Sequence, residues 1–146
     1  MRDTATRKAD ALEMLEKQGH MWLATADREG RPHLIAVSAW WDGRDVVVAT
    51  TEASRTAANM SPGSDVRLAA GSPEDAVTID AEAIETVPAA EADSLAVGFA
   101  GAVGWDPREV GEGWAFFRLR PSRIQAYRGY DEVNGKDVMR GGRWLA

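Results

Sequence analysis

Apolar and polar positions along the chain change period several times, and each change marks an element. Residues 3–18 carry Ala5, Ala9, Leu12 and Leu15 at helical spacing, and Gly19 stops the pattern. A short apolar run, Met21–Ala26, predicts a strand, and Asp27-Arg28-Glu29-Gly30 predicts the turn after it. Pro32 to Trp41 reads as a second strand. Its two faces, Leu34/Ala36/Ser38/Trp40 and Ile35/Val37/Ala39/Trp41, are both largely apolar, so both are expected to be covered. Asp42-Gly43 is a hairpin signal, and Asp45–Thr51 is the third strand.

A short helix over Ser54–Met60 follows, and Pro62-Gly63 turns the chain. Asp65–Gly71 and Ala76–Val87 predict strands four and five. The second of these alternates at Val77, Ile79, Ala81 and Ala83, then slips phase at Ile84, the mark of a bulge. Residues 89–103 read as helix and Gly104–Gly113 as a loop. Trp114–Arg120 and Ser122–Tyr130 are expected as two strands parted by Pro121, which cannot donate to a ladder. After the Asn134-Gly135 turn, Asp137–Leu145 predicts a last strand. Strands joined by tight turns give a mainly antiparallel sheet. Seven or eight of them are expected to close into a barrel, with the helices plugging its ends.

Composition narrows the chemistry. The chain has 146 residues, 45% of them apolar, which suits one domain over 1–146. It contains no cysteine, so disulfides, thiolate nucleophiles and thiolate metal sites are excluded. Two histidines, His20 and His33, are too few for a histidine-rich metal centre. The net charge of −6 lacks the basic face of a nucleic-acid binder. The arginines at 118, 120, 123 and 128 read as a solvated outer face. Residues 1–4 form no apolar signal core, and no apolar run is long enough to span a bilayer. A cytoplasmic protein with no membrane partner is the expectation. Asp80 interrupts an apolar strand pattern without an evident chemical role.

One stretch points to binding. In Ala49–Met60 (ATTEASRTAANM) a buried strand opens into Thr50, Thr51, Ser54 and Thr56 around a single cation, Arg55. A helix starting at Ser54 offers free amides, and hydroxyls with an arginine complete an anion site suited to a phosphate monoester. The competing reading is an ordinary Ser54 cap and an exposed arginine. Among the six tryptophans, Trp144 is the candidate for function, against simple interface packing.

The order of these pieces resembles the pyridoxamine 5′-phosphate oxidase-like family, the flavin-binding split barrels. The resemblance runs from MWLATADREGRPHLIAVSAWWDGRDVVVATT through SRTAANMSPGSDVRLAA to FFRLRPSRIQAY and the terminal RGGRWL. It implies an antiparallel split β-barrel with flanking helices, a homodimer, and a cofactor held between subunits. It also implies FMN or the deazaflavin coenzyme F-420 as that cofactor, and oxidoreductase activity on a small molecule. Thr50, Thr51, Ser54 and Arg55 would meet the phosphate, and Val37-Ser38-Ala39 would supply backbone along the ring system. The family's lysine after the Ser-Arg pair is Thr56 here, which removes one phosphate cation but leaves Thr56 as a cofactor-binding candidate whose hydroxyl can donate. The Arg-Leu-His-Asp-Arg segment of the vitamin B6 oxidases is replaced by DEVNGKDVMRGG, so pyridoxamine 5′-phosphate oxidation is not expected. Of the 17 basic residues 14 are arginine. Arg28, Arg31 and Arg55 suit the acidic tail of the deazaflavin. The alternative function is a non-catalytic cofactor carrier or stress-related protein; a barrel with a decayed site is a third.

Overall fold

The computed structural model describes Met1–Ala146. Its strands are β1 (His20–Ala26), β2 (Pro32–Trp41), β3 (Val46–Thr51), β4 (Asp65–Ser72), β5 (Asp75–Pro88), β6 (Trp114–Tyr127), β7 (Asp137–Arg140) and β8 (Arg143–Trp144). All neighbours pair antiparallel in the order β3-β2-β1-β4-β5-β6-β7-β8, and β3 pairs again with β6. That last pairing closes β1–β6 into a six-stranded barrel and leaves no open edge there. The barrel is split because β6 changes partner along its length. Trp114–Leu119 pairs with β3, whereas Ile124 and Gln125 pair with β7. The fold is the mainly β split barrel that the turn-linked strands imply, with six strands in the closed ring and β7–β8 attached as a hairpin.

Two bulges let the long strands bend. Ala83 faces Leu119 and Glu85 faces Arg118, so Ile84 is the extra residue, where the phase slip placed it. The second bulge corrects the division at Pro121. β6 runs unbroken through it, because Ala81 faces Pro121 while Asp80 faces Arg123, leaving Ser122 extra. Pro121 also falls between the residues that pair with β3 and those that pair with β7, so no ladder amide is missed.

The helices are α1 (Thr4–Lys17), α2 (Arg55–Asn59), α3 (Asp93–Val103) and α4 (Pro107–Val110). α1 is capped by Asp3, whose carboxylate accepts from the Thr6 amide at 2.8 Å. Its buried face is Arg7, Ala11 and Leu15; Ala5 and Ala9 are exposed. Apolar spacing could not find this face, since its first member is an arginine whose guanidinium donates to the Glu132 carbonyl at 2.8 Å. α4 lies inside the expected 104–113 loop, and the expected last strand is the β7–β8 hairpin turned at Gly141-Gly142.

β3 is apolar on both faces because it divides two cores. Val46 and Val48 point into the barrel, within a cluster of 24 buried residues. Val47 and Ala49 point outward, where α3 and Phe116 cover them with Ala96 and Phe99. β2 behaves differently along its length. Trp40 packs so closely on Gly98 of α3 that a Cβ there would overlap the indole. Further along, Leu34 is 62% exposed and Trp22, beside Ala36 in the register, is 54% exposed. The chain therefore covers half of that outer face itself.

The late arginines are paired rather than simply solvated. Arg118 and Arg120 both reach Asp45, which is 2% exposed. Arg123 holds Asp137 at 2.9 Å, and Arg128 meets Asp75 at 3.2 Å. Burial raises the Asp137 carboxyl, but hydrogen bonds from Arg123, Gln125 and Arg140 outweigh it and bring the pKa down to about 2. Asp80 has a partner too: Arg67, opposite it on β4, at 2.6 Å. No helix is long and apolar enough to cross a membrane.

Candidate functional site

The C-terminal end of β3 and the first turn of α2 form the candidate site. Successive strand residues point to opposite faces, so Thr50 and Thr51 part company. Thr50 Oγ1 lies 3.1 Å from Ser54 Oγ. Thr51 faces the other way, across from Trp114, and its carbonyl accepts from the Ser54 amide at 3.1 Å. Ser54 is the N-cap, accepting from the Ala57 amide at 3.0 Å. Either hydroxyl can donate in this pair; when Thr50 donates, the Ser54 proton is free to point outward. α2 has only five residues, so its dipole is small. Attraction for an anion rests on Arg55.

Arg55 is exposed and forms no ion pair. Its neighbour across the β1–β2 turn is Asp27, held below the usual carboxylate range first by the Arg31 amide and, to a smaller degree, by the Arg55 charge. Arg31 is already committed, to Asp27 at 2.8 Å and Glu29 at 2.7 Å. Arg28, like Arg55, has no carboxylate partner. It lines a groove of about 480 Å³ with Asp27, Ala58, Asn59 and Ser64. Ala58 lies one turn along α2 from Arg55, on the same face. Thr56 is 2% exposed, so its side chain is withdrawn from the surface that Arg55 occupies.

The other expected positions fall into two places. Val37 and Ala39 turn their side chains into the barrel at 7% and 1% exposure, leaving only their backbone for a ligand. Ser38 faces outward, and its hydroxyl accepts from Trp105 Nε1 at 2.9 Å. Trp105 is itself wedged edge-on between Phe99, at 5.7 Å, and Trp114, at 5.2 Å between ring centres. Sequence reasoning missed Trp105, because nothing in a glycine-bounded loop signals a partner 67 residues away. Trp144 lies elsewhere. With Trp41, Arg44 and Arg120 it lines a cleft of about 180 Å³, and Lys8 Nζ stands 5.0 Å above its ring. Trp41 pairs with Val46, the opposite end of β3 from Thr50. One chain thus joins Thr50, Ser54 and Arg55 and keeps Trp144 apart from them.

A larger groove of about 620 Å³ occupies the other end of β4, between the β4–β5 turn and the residues after β6. Both tyrosines of the chain, Tyr127 and Tyr130, line it, with Lys136 Nζ 5.1 Å from the Tyr127 ring centre.

The profile of the pyridoxamine 5′-phosphate oxidase family matches residues 8–126. No protein of curated function matches the chain. Solved structures share the fold at low identity. An F-420 reductase superposes with a TM-score of 0.64 at 18% identity, covering 77% of this chain and 93% of that one. General Stress Protein 26 from Bacillus anthracis str. Sterne gives 0.62 at 17%, covering 82% and 92%. A protein related to general stress protein 26, of the pyridoxinephosphate oxidase family, from Clostridium acetobutylicum gives 0.66 at 14%, covering 87% and 91%. With more than half its length matched by the profile and the barrel closed as the fold requires, the chain belongs to the pyridoxamine 5′-phosphate oxidase family.

Proposed function

We propose that the protein is an oxidoreductase that uses FMN or coenzyme F-420 on a small molecule, and that it works as a cytoplasmic homodimer. The observation that carries this reading is the exposed, unpaired Arg55 next in the chain to Ser54, whose hydroxyl pairs with that of Thr50. These groups fit a phosphate. Arg55 supplies charge-assisted donors, Ser54 supplies a hydroxyl, and the withdrawn Thr56 adds nothing. Such a cofactor, when bound, supplies the hydride chemistry; the protein supplies binding and orientation. The Trp105–Ser38 hydrogen bond anchors the outward side of β2, and the Val37–Ala39 backbone would line the cofactor's ring system. The groove lined by Arg28 runs past α2 beside Arg55, and these two guanidinium groups without carboxylate partners support a cofactor with an acidic tail, against the opposing charge of Asp27 and Asp65 in the same groove. Titrating FMN and F-420 into the purified protein tests the reading. Saturable binding of either, with tighter binding of F-420, supports it; failure of both to bind at about 100 µM means the site has decayed.

The half of the outer face that α3 leaves uncovered supports the homodimer. Trp22, Leu34 and Ala36 form an apolar patch that a second copy would bury. Sedimentation should give a dimer for the wild type and a monomer for Leu34→Asp, since an unpaired carboxylate in an apolar contact is costly. A wild-type monomer at micromolar concentration refutes this part alone.

A further inference from the structure

The turn after β6 is held in place by charge rather than by packing. Glu132 is 4% exposed and ends the 3-10 turn Tyr130–Glu132. Its carboxylate accepts from Arg2 Nη2 at 2.6 Å, from the Arg2 amide at 2.9 Å and from the Arg128 amide at 2.8 Å. Its carbonyl accepts from Arg7 Nη1 at 2.8 Å. Arg7, 2% exposed, also reaches the carbonyls of Asn134 at 3.3 Å and Arg2 at 3.1 Å. Asp10 anchors the far side of the Arg2 guanidinium at 2.9 Å.

Apolar contact contributes little to this turn. The barrel core includes Ala126 and resumes at Val138, with no member between them. Tyr130 is 98% exposed and Val133 38%. Yet these residues, with Tyr127 and Lys136, wall the 620 Å³ groove. Its shape therefore depends on the hydrogen bonds that tie residues 2–7 to 126–134.

We propose that Arg2, Arg7 and Glu132 form a conformational latch: while closed it sets the Tyr127–Lys136 groove, and its release frees residues 128–134 without opening the barrel. The physical basis is a separation of forces. The barrel rests on its buried apolar cluster and closed ladder, whereas the turn rests on a few charge-assisted hydrogen bonds, of which Arg2→Ala removes those from the Arg2 guanidinium to the Glu132 carboxylate and leaves those of Arg7.

The two tyrosines make the test direct, because both lie on the groove. Protein labelled with 3-fluorotyrosine should show the Tyr127 resonance move in Arg2→Ala, as Lys136 leaves its ring. Amides of residues 128–134 should exchange with solvent at least about tenfold faster. In a parallel 5-fluorotryptophan sample the signals of Trp40, Trp105 and Trp114 should stay put. Arg2→Lys keeps the charge but loses the two-pronged contact, and should fall between. Unchanged tyrosine signals and exchange in Arg2→Ala would overturn the latch. So would tryptophan signals that collapse with the tyrosines, since the turn would then be one cooperative unit with the barrel.

Discussion

Replacing Arg55 with alanine should weaken binding of FMN or F-420 by roughly ten- to a hundredfold while leaving the fold intact. A hydrogen bond to a charged group contributes on the order of 1.5–3 kcal/mol, which converts to that range of affinity. Arg55 is exposed and unpaired, so its loss leaves no buried charge behind. Arg31→Ala is the internal comparison. Its guanidinium is already neutralised by Asp27 and Glu29, so the loss should be well below tenfold. Cofactor titrations and thermal melts on the three proteins decide the matter. Equal affinity in Arg55→Ala and wild type would reduce Arg55 to a surface charge and Ser54 to a helix cap. A large drop in melting temperature would make Arg55 part of the scaffold.

Gly71→Ala should be the most damaging single methyl that can be added to the barrel. Gly71 pairs with Ala76 beside the β4–β5 turn and has φ +82°. A side chain there pays a left-handed penalty of about 1–2 kcal/mol. Worse, a Cβ would overlap the Asp75 carbonyl oxygen and come within 2.9 Å of Met14 Sδ. Backbone cannot swing away as the Met14 side chain can, so the β4–β5 hairpin must open. A total of about 3 kcal/mol is expected, or a fall of roughly 10 °C in melting temperature. Gly30→Ala separates the two causes. It has φ +79° but nothing within 4 Å of a new Cβ, so it should show the backbone penalty alone. Equal melting of the two variants would mean that the crowding around Gly71 relaxes at little expense.

The strands were legible because their signals are local. Asp42-Gly43, the alternation from Val77 to Ala83 and the slip at Ile84 each depend on near neighbours in the chain, and the structure places the bulge at Ile84. The cap at Ser54 was legible for the same reason: its partner, the Ala57 amide, is three residues away. Pro121 misled because a lone sequence shows its missing N–H but not the bulge that makes the loss harmless. The α1 face misled because hydrophobic period cannot anticipate a buried arginine whose carbonyl partners lie more than a hundred residues on.

The candidate site divides along the same line. Residue types within one turn of Ser54 determined by themselves that a cation and hydroxyls would share a helix start. Only the tertiary structure decided which of them face solvent together. Strand alternation sends Thr51 away from Thr50, burial withdraws Thr56, and the β1–β2 turn engages Arg31 while Arg55 stays free. The β7–β8 hairpin carries Trp144 to the end of β3 away from Thr50 of the same chain, because β6 exchanges β3 for β7 midway along its length. Short-range bonding is written in adjacent residues; which charges remain unpaired depends on where every other strand brings its own.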